Sequence, residues 1–313
     1  MMVKQVLATK NRFHRQSERQ SLGQLRTLIV NPSTVVRYEK SVKAFLRWLH
    51  TENKGWPRNF GVLDLLASEF VDFLWSDGEG KAFASNFVAG IQHFQPSARK
   101  HLPSTWRLLG AWNRRELPAR ATPASEELVE TLAGMALRDK LPDMAVLLCL
   151  GFHCLLRTGE LLGLTAGDCD VDLPGLQAVL NLGLSKSGSR QGAKESVTVD
   201  DPVVVRLLAV LLLNKKPGDR LLSVSQATFR KKFADYIKEL GLDDYDFKPY
   251  SLRRGGATAH FRHFGQLSRT VVRGRWASAK SARIYINDGL ATLAKFKISP
   301  ETKAMMHRFR NDF

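Results

Sequence analysis

An arginine and a glutamate directly follow a strongly apolar stretch near the middle of the 313-residue chain. Arg157 and Glu160 come after residues 144–156, whose apolar character predicts a buried helix with the arginine at its end. A guanidinium keeps its charge and presents a planar fork of donors, so beside a core it requires an anionic partner. Glu160 can be that partner within one helical turn. The segment is therefore consistent with either an anion-binding arginine or a structural ion pair.

Two later segments carry an arginine pair and a tyrosine. Tyr250 is followed by Arg253, Arg254 and two glycines, and glycines permit close approach of the backbone to a ligand. Trp276 and Tyr285 are nine residues apart, and a helical stretch between them would place both near one pocket. Taken singly, each segment also has an ordinary explanation, because most tyrosines and arginines serve packing or surface charge.

These segments belong to a strongly basic chain. It contains 47 Lys+Arg and 30 Asp+Glu, a formal net charge of +17. The net charge is +10 in residues 1–120 and +10 in residues 229–313, whereas residues 121–228 carry −3. A positive field attracts polyanions, and two basic flanks suit a protein that contacts a duplex from two sides. Double-stranded DNA is therefore the predicted partner, although a basic protein without a nucleic-acid partner has the same composition.

Cysteine spacing and hydropathy argue against several classes of protein. Cys149, Cys154 and Cys169 lack the CxxC spacing of zinc sites and do not form a disulfide framework, so neither a metal nor a cofactor is predicted. The sequence shows no signal peptide and no apolar stretch of roughly 20 residues that could span a membrane. We expect an intracellular, DNA-associated protein, nuclear in a eukaryote and otherwise in the cytoplasm or nucleoid.

Helical periodicity and turn residues predict two domains. Residues 1–30 are expected to form a basic arm, residues 31–116 a helical bundle, residues 117–124 a linker with two prolines, and residues 125–313 a second domain. The first helix of the bundle is predicted to begin at 31–34 and to end at 55–57. Three further helices are predicted over 63–75, 82–94 and 104–115.

The second domain changes from helical to strand periodicity and back. Ser125 is expected to cap a helix over 126–138. Residues 178–184 and 195–199 have strand-like patterns and are joined by a polar, glycine-containing turn, which predicts a hairpin. Helix is predicted for most of the chain after residue 202. The predicted fold class is thus mainly α with a small antiparallel β-sheet (α+β) in the second domain.

Together, the three chemical segments resemble the tyrosine recombinase (phage integrase) family. Its catalytic domain has an arginine box, a hairpin lysine, a box of His-x-x-Arg type, a His or Trp, and a Tyr nine residues later. The resemblance covers residues 121–290, and the helical residues 31–115 resemble the family's core-binding (SAM-like) domain, which clamps the opposite face of the duplex. The matching positions, in the family's order, are Arg157 with Glu160, Lys186, Tyr250 with Arg253, Trp276 and Tyr285.

The resemblance implies a site-specific DNA recombinase that cuts and rejoins strands without metal or cofactor. Tyr285 would attack the scissile phosphate and form a 3′-phosphotyrosyl bond. Arg157 and Arg253 would hold the non-bridging oxygens. Lys186 would protonate the leaving 5′ oxygen, and Lys194, on the far side of the turn, is the weaker candidate for this role.

Supporting roles and assembly follow from the same resemblance. Trp276 would donate its indole N–H to the phosphate, and Glu160 would orient the arginine. The tail formed by residues 290–313 resembles segments that dock on a neighbouring subunit in a DNA-bound tetramer, so a homo-oligomer is predicted. The alternative is that the tail packs on its own domain.

One position departs from the family pattern, because Tyr250 stands where the family usually has His. A phenol can donate a hydrogen bond to a phosphate oxygen, but it carries no positive charge near neutral pH. Three alternatives therefore stay open. They are a catalytically impaired integrase-like DNA-binding protein, a type IB topoisomerase-like enzyme that relaxes supercoils without a site, and a helical protein whose matching residues lie apart in the fold.

Overall fold

The computed structural model describes residues 12–183 and 194–311, which divide into two compact units. The N-terminal unit ends at Ala119 and the C-terminal unit begins at Arg120. Helix α1 (Arg12–Leu22) lies in the stretch predicted as a basic arm. Residues 121–124, which the sequence predicts as part of the linker, are buried, so only the preceding residues of that stretch are exposed.

Four further helices form the N-terminal unit. They are α2 (Pro32–Thr51), α3 (Phe60–Ser76), α4 (Lys81–Phe94) and α5 (Pro103–Arg115). Helices α2 and α3 begin where asparagines cap them, because the side chains of Asn31 and Asn59 accept hydrogen bonds from backbone N–H groups of the first turn.

An aromatic cluster holds this bundle together. The ring centroids of Phe45 and Phe87 are 4.9 Å apart, and those of Phe70 and Phe87 are 4.8 Å apart at an angle of 77°. All three side chains are buried, and Trp48 packs beside them. Such edge-to-face pairs stabilise a core beyond the area that they bury.

A buried carboxylate joins α3 to the start of α5. Asp64 accepts hydrogen bonds from the backbone N–H groups of Ser104 (2.9 Å) and Thr105 (3.0 Å) and from the Thr105 hydroxyl (2.8 Å). Burial by itself raises the pKa of Asp64, but these hydrogen bonds outweigh it and the pKa lies below its ordinary value of 3.8. The ionised side chain thus serves as the cap that α5 lacks at its own N-terminus.

Ten α-helices and three strands form the described part of the C-terminal unit. In order they are α6 (Glu126–Arg138), α7 (Pro142–His153), α8 (Thr158–Leu161), β1 (Cys169–Asp172), β2 (Gln177–Gly183), β3 (Glu195–Val199), α9 (Pro202–Leu212), α10 (Gln226–Glu239), α11 (Tyr250–Phe264), α12 (Leu267–Arg273), α13 (Ala279–Arg283), α14 (Asp288–Lys297) and α15 (Pro300–Asn311).

The small sheet is antiparallel in the order β1-β2-β3. Leu180 pairs with Cys169 on one side and with Val197 on the other, and the register shifts between Asn181 and Gly183. The mainly α fold with a small antiparallel sheet is confirmed. Strand β1 is an addition, because its four residues are too short and too acidic to be recognised from the pattern alone.

Helices α7 and α11 form the centre of this unit. Residues 143–152 of α7 and residues 251–258 of α11 are buried on all sides. A Cβ at Gly255 would lie 1.9 Å from the carbonyl oxygen of Ala124, and one at Gly256 would lie 2.0 Å from that of Phe152. These glycines, which in the sequence could permit close approach to a ligand, allow α11 to pack against the protein's own backbone.

The C-terminal tail packs on its own unit. Met306 and Phe309 of α15 belong to the core, and the guanidinium carbon of Arg138 lies 5.1 Å from the Phe309 ring centroid. A Cβ at Gly134 of α6 would lie 1.9 Å from the carbonyl oxygen of Phe309. The helices therefore touch backbone to backbone, which favours the second of the two alternatives for the tail.

Removing the buried cap should destabilise the N-terminal unit. We expect Asp64→Ala to lower the free energy of unfolding by about 2–3 kcal/mol at neutral pH. Helix α5 then loses its cap, and the N–H groups of Ser104 and Thr105 lose their acceptor. The depressed pKa means that this stabilisation is present above the ordinary carboxyl pKa and is lost as the pH falls below about 4. Urea titrations across this range measure the difference, with exposed Asp72→Ala as control. A pH-independent difference would contradict the role.

Adding a side chain at Gly134 should release the last helix. We expect Gly134→Val to accelerate tryptic cleavage at Arg308 by at least about tenfold, because local opening then requires less free energy. Gly110→Val is the control, since the nearest atom to a Cβ there is the end of the Arg114 side chain at 3.7 Å. Equal cleavage rates for the two variants would show that α15 is not held by this contact.

Candidate active site

Four segments of the C-terminal unit converge on one cluster of side chains. They are the turn after α7 with the start of α8, the first turns of α11, the turn after α12, and the end of α13. These segments carry Arg157, Arg253, Trp276 and Tyr285, together with Tyr250. Of the residues singled out from the sequence, Lys186 lies outside the described part of the chain.

Arg253 is the buried centre of the cluster. Its side chain has no exposed surface, and its guanidinium donates to the carbonyl oxygens of Leu155 and, at 2.7 Å, Gly274. The guanidinium carbon lies 4.8 Å from the Trp276 ring centroid and 5.2 Å from that of Tyr285. Burial, with the charge of neighbouring arginines, lowers the pKa of Arg253 to about 10, so the group remains charged at neutral pH.

Arg157 and Glu160 form the ion pair expected from their spacing. Helix α7 ends at His153, so Arg157 does not end it as predicted but caps the short helix α8 instead. The Arg157 backbone N–H donates to Glu160 Oε2 at 2.9 Å, and its guanidinium donates to Oε1. Burial raises the pKa of Glu160, but the charges of Arg275 and Arg157 outweigh this effect and the pKa is lowered. Glu160 is therefore an ionised acceptor inside the site.

The two tyrosines share a short hydrogen bond. The Tyr250 hydroxyl donates to the Tyr285 hydroxyl oxygen at 2.6 Å. Burial and this bond raise the pKa of Tyr250. Burial acts in the same direction on Tyr285, but the donated hydrogen bond and the positive charge of Arg253 outweigh it, so the pKa of Tyr285 is lowered. The pair is asymmetric, and Tyr285 is the phenol that ionises first.

Trp276 covers the other side of Tyr285. Their ring centroids are 4.7 Å apart, and Trp276 is 9% exposed. Its indole Nε1 is buried and has no hydrogen-bond partner among the residues that the structure describes. An indole N–H is only a donor, so this group is suited to an oxygen that a ligand would bring.

Three arginines in the site have no signal in the sequence that distinguishes them from surface charge. Arg254, which the sequence argument leaves outside the catalytic set, is 2% exposed and donates to the carbonyl oxygen of Ile284 at 3.0 Å. Arg120 donates to the same oxygen at 3.2 Å. Both therefore hold the residue before Tyr285. Arg275 donates to Glu160 at 2.8 Å and lies 3.4 Å from Glu195.

The hairpin lysines are only partly placed. Lys194 is exposed and lies next to Glu195, the first residue of β3.

Within residues 12–183 and 194–311, no group of three His, Cys, Asp or Glu side chains could hold a metal ion. No described helix is long and apolar enough to cross a membrane.

Solved structures share this architecture at low sequence identity. The chain is similar to the Tn1549 transposon integrase in complex with transposon right end DNA (TM-score 0.57, 12% identity, 91% of this chain and 97% of that one). It is also similar to a lambda integrase dimer bound to a COC′ core site (0.56, 15%, 88% and 76%). A third similar structure is the XerH site-specific recombinase bound to a palindromic difH substrate (0.51, 17%, 71% and 68%).

These similarities show the fold. The chain has the fold of tyrosine recombinases and integrases, as the sequence resemblance predicts. No protein-family model matches the sequence, and the comparison with curated proteins finds no match.

The hydrogen bond between the phenols makes a testable prediction about ionisation. In a pH titration of tyrosine labelled with ¹³C at Cζ, we expect Tyr285 to ionise below the ordinary pKa of a phenol, and Tyr250→Phe to raise that pKa because the donor is lost. Tyr285→Phe assigns the resonance. Tyr38→Phe, in the N-terminal unit, is the control. If Tyr250→Phe leaves the Tyr285 titration unchanged, the hydrogen bond does not lower the pKa of Tyr285.

Proposed function

We propose that this protein is a site-specific DNA recombinase that breaks and rejoins strands through a phosphotyrosyl intermediate. The observation that carries the proposal is the Tyr285 phenol, which accepts a hydrogen bond from Tyr250 while lying beside the Arg253 guanidinium. A phenol of lowered pKa next to fixed cations is suited to attack an anionic phosphate. The fold shared with recombinases and integrases supports the same chemistry.

In the proposed reaction, the Tyr285 hydroxyl gives its proton to solvent, and its oxygen attacks the scissile phosphorus. The bond from phosphorus to the 5′ oxygen breaks, and Lys186 gives that oxygen a proton; Lys194 is the alternative donor. The enzyme is then joined to the 3′ phosphate. Attack of a 5′ hydroxyl from another strand reverses these steps, so the bond energy is retained and neither a nucleotide nor a metal takes part.

Fixed cations would stabilise the pentacoordinate transition state. Arg157, whose side chain is 23% exposed and oriented by Glu160, is accessible to a non-bridging oxygen. Arg253 has no exposed surface, so the phosphate contacts it only after the covering aromatic side chains shift. The unpaired Trp276 N–H would then donate to a phosphate oxygen, which removes the unfavourable burial of an unsatisfied donor.

Charge supports double-stranded DNA as the partner. A net charge of +17 favours a polyanion, and most sequence-independent affinity for a duplex comes from phosphate neutralisation. In this proposal the bundle over 31–116 is the core-binding domain, residues 125–313 form the catalytic domain, and four copies assemble on DNA inside the cell. Docking of the tail on a neighbour requires that α15 first leaves α6.

A second function has one observation in its favour. Arg253 is fully buried with its guanidinium on two carbonyl oxygens, and Tyr250 stands where the family usually has His. A site closed in this way would suit a DNA-binding protein of the same fold that no longer cleaves. It differs from the first proposal only in the covalent step.

A covalent trap tests the proposal. The protein is incubated with a random-sequence duplex pool that carries 5′-bridging phosphorothiolates, because a thiolate leaves without a proton donor. We expect covalent adducts whose DNA-bearing peptide contains Tyr285, and we expect none with Tyr285→Phe. Tyr236→Phe is the matched control, since Tyr236 is a buried tyrosine of the same unit bonded to Asp139.

Three results contradict the proposal. Adducts that persist in Tyr285→Phe, or that map to Tyr250, would show that Tyr285 is not the nucleophile. No adduct from a protein that still binds the pool would favour the DNA-binding protein without cleavage. Loss of adducts in Tyr236→Phe as well would show that the assay reports folding.

A further inference from the structure

Arg275 has a backbone conformation that its residue type disfavours. Its φ of 55° is in the left-handed region, where a side chain crowds the backbone. The residue follows α12, and the backbone N–H groups of Arg275 and Trp276 bond to the carbonyl oxygens of Val272 (3.0 Å) and Val271 (3.1 Å). This is the pattern of a helix end whose left-handed position usually holds glycine.

A glycine is present one residue earlier, where it serves packing. Gly274 has an ordinary φ of −83°, but a Cβ there would lie 1.9 Å from the Trp276 ring. The turn thus uses its glycine to accommodate the indole and places an arginine at the left-handed position. A strained position held by arginine suggests that the side chain has a function.

That side chain lies between two buried carboxylates. Arg275 Nη2 is 2.8 Å from Glu160 Oε2, and Nε is 3.4 Å from Glu195 Oε2. The three side chains are 8%, 9% and 10% exposed. Its guanidinium also donates to the carbonyl oxygen of Leu155 at 3.5 Å, which is an acceptor of Arg253 as well. The guanidinium therefore hydrogen-bonds to Glu160 and faces Glu195 as an ion pair without a hydrogen bond, and its planar, delocalised charge suits both carboxylates.

The two carboxylates belong to different parts of the site. Glu160 orients Arg157, whereas Glu195 opens β3 and pairs with Gly183 at the end of β2. Glu195 therefore lies at the mouth of the hairpin whose sequence includes Lys186, and it directly follows Lys194. Among the residues that the structure describes, Arg275 contacts both carboxylates. The next residue is Trp276, whose ring packs against that of Tyr285.

We infer that Arg275 is a positioning residue that fastens the mouth of the β2–β3 hairpin to the Arg157–Glu160 pair. In this role it holds the start of β3, which directly follows Lys194, at a fixed distance from Arg157, the arginine proposed to hold the phosphate. The inference rests on the proposed function for its catalytic consequence. The ion-pair bridge itself is a property of the free protein.

Two variants remove the bridge from opposite ends. Arg275→Gly suits the left-handed backbone and deletes only the side chain. Glu195→Gln keeps the size of its side chain and removes the charge at the hairpin, so it tests the inference if the first variant folds poorly. Arg273→Ala is the matched control. Arg273 also ties β3 to the turn, but at the other end of the strand, through Asp200 (2.9 Å) and the Thr198 hydroxyl (3.0 Å).

The first measurement compares oxygen and sulfur at the scissile position. A duplex recovered from the wild-type trap is made with either atom as the 5′-bridging group, and single-turnover cleavage is followed. For Arg275→Gly and Glu195→Gln we expect the oxygen duplex to be cleaved at least about tenfold more slowly, since a misplaced proton donor loses much of its effect. The sulfur duplex needs no donor, and its rate should stay within about threefold of wild type.

Several results would overturn the inference. Equal losses on both duplexes would mean that Arg275 acts on phosphate binding or on folding, not on the hairpin. Unchanged rates on both would mean that the bridge has no catalytic effect. The same oxygen-selective loss in Arg273→Ala would mean that any tether on β3 suffices.

A second measurement separates this inference from the proposed function. If the wild-type protein traps no duplex, the proposed function is wrong, and amide hydrogen exchange of the free protein decides about the bridge. Arg275→Gly and Glu195→Gln should then each speed exchange at Ser196 and Val197 at least about tenfold relative to Arg273→Ala. Unchanged exchange at these amides would show that the bridge does not fasten the hairpin.

Discussion

The candidate site depends on one buried cation, the guanidinium of Arg253. Its charge persists at neutral pH, and backbone carbonyls of two separate turns solvate it in place of water. Because burying a charge is costly unless hydrogen bonds replace its hydration, the turns at Leu155 and Gly274 must stay where their carbonyl oxygens reach it. The indole of Trp276 and the phenol of Tyr285 stack around the same group. The position of Tyr285 therefore follows from the solvation of an arginine.

The same cation makes two chemically identical phenols unequal. Tyr250 and Tyr285 share one hydrogen bond, and either could in principle be the donor. A positive charge beside the Tyr285 ring favours its ionised form, so Tyr250 keeps the proton and donates it. A histidine in place of Tyr250 would add a second positive charge when protonated. The tyrosine gives a neutral donor whose target is the Tyr285 hydroxyl itself.

Backbone proximity is the second constraint on this unit. Glycines at 134, 255 and 256 allow helices to approach carbonyl oxygens of neighbouring segments, and each leaves no room for a Cβ. Close packing of this kind fixes the rotation of α11 about its own axis, and so the direction of Arg253. In the sequence, the glycine pair is equally compatible with close approach to a ligand, because local pattern cannot distinguish a ligand from a neighbouring backbone.

Much of the secondary structure can be predicted from the hydrophobic periodicity, caps and turn residues of the sequence. Helix α6, its cap at Ser125 and strand β3 were predicted with the observed bounds, because caps, turns and periodicity are local properties. Strand β1 was missed and α7 was extended too far, because a short strand and a helix end inside an apolar run depend on what packs against them.

The order and spacing of Arg157, Arg253, Trp276 and Tyr285 are visible in the sequence, and these residue types already indicate the kind of chemistry to expect. Only the tertiary structure decided which groups touch. The donor to Tyr285, the two carbonyls on Arg253 and the bridge through Arg275 join residues from distant parts of the chain. Their hydrogen bonds arise from packing of the folded chain. The left-handed φ of Arg275 cannot be predicted from the local sequence either, because such a position usually holds glycine.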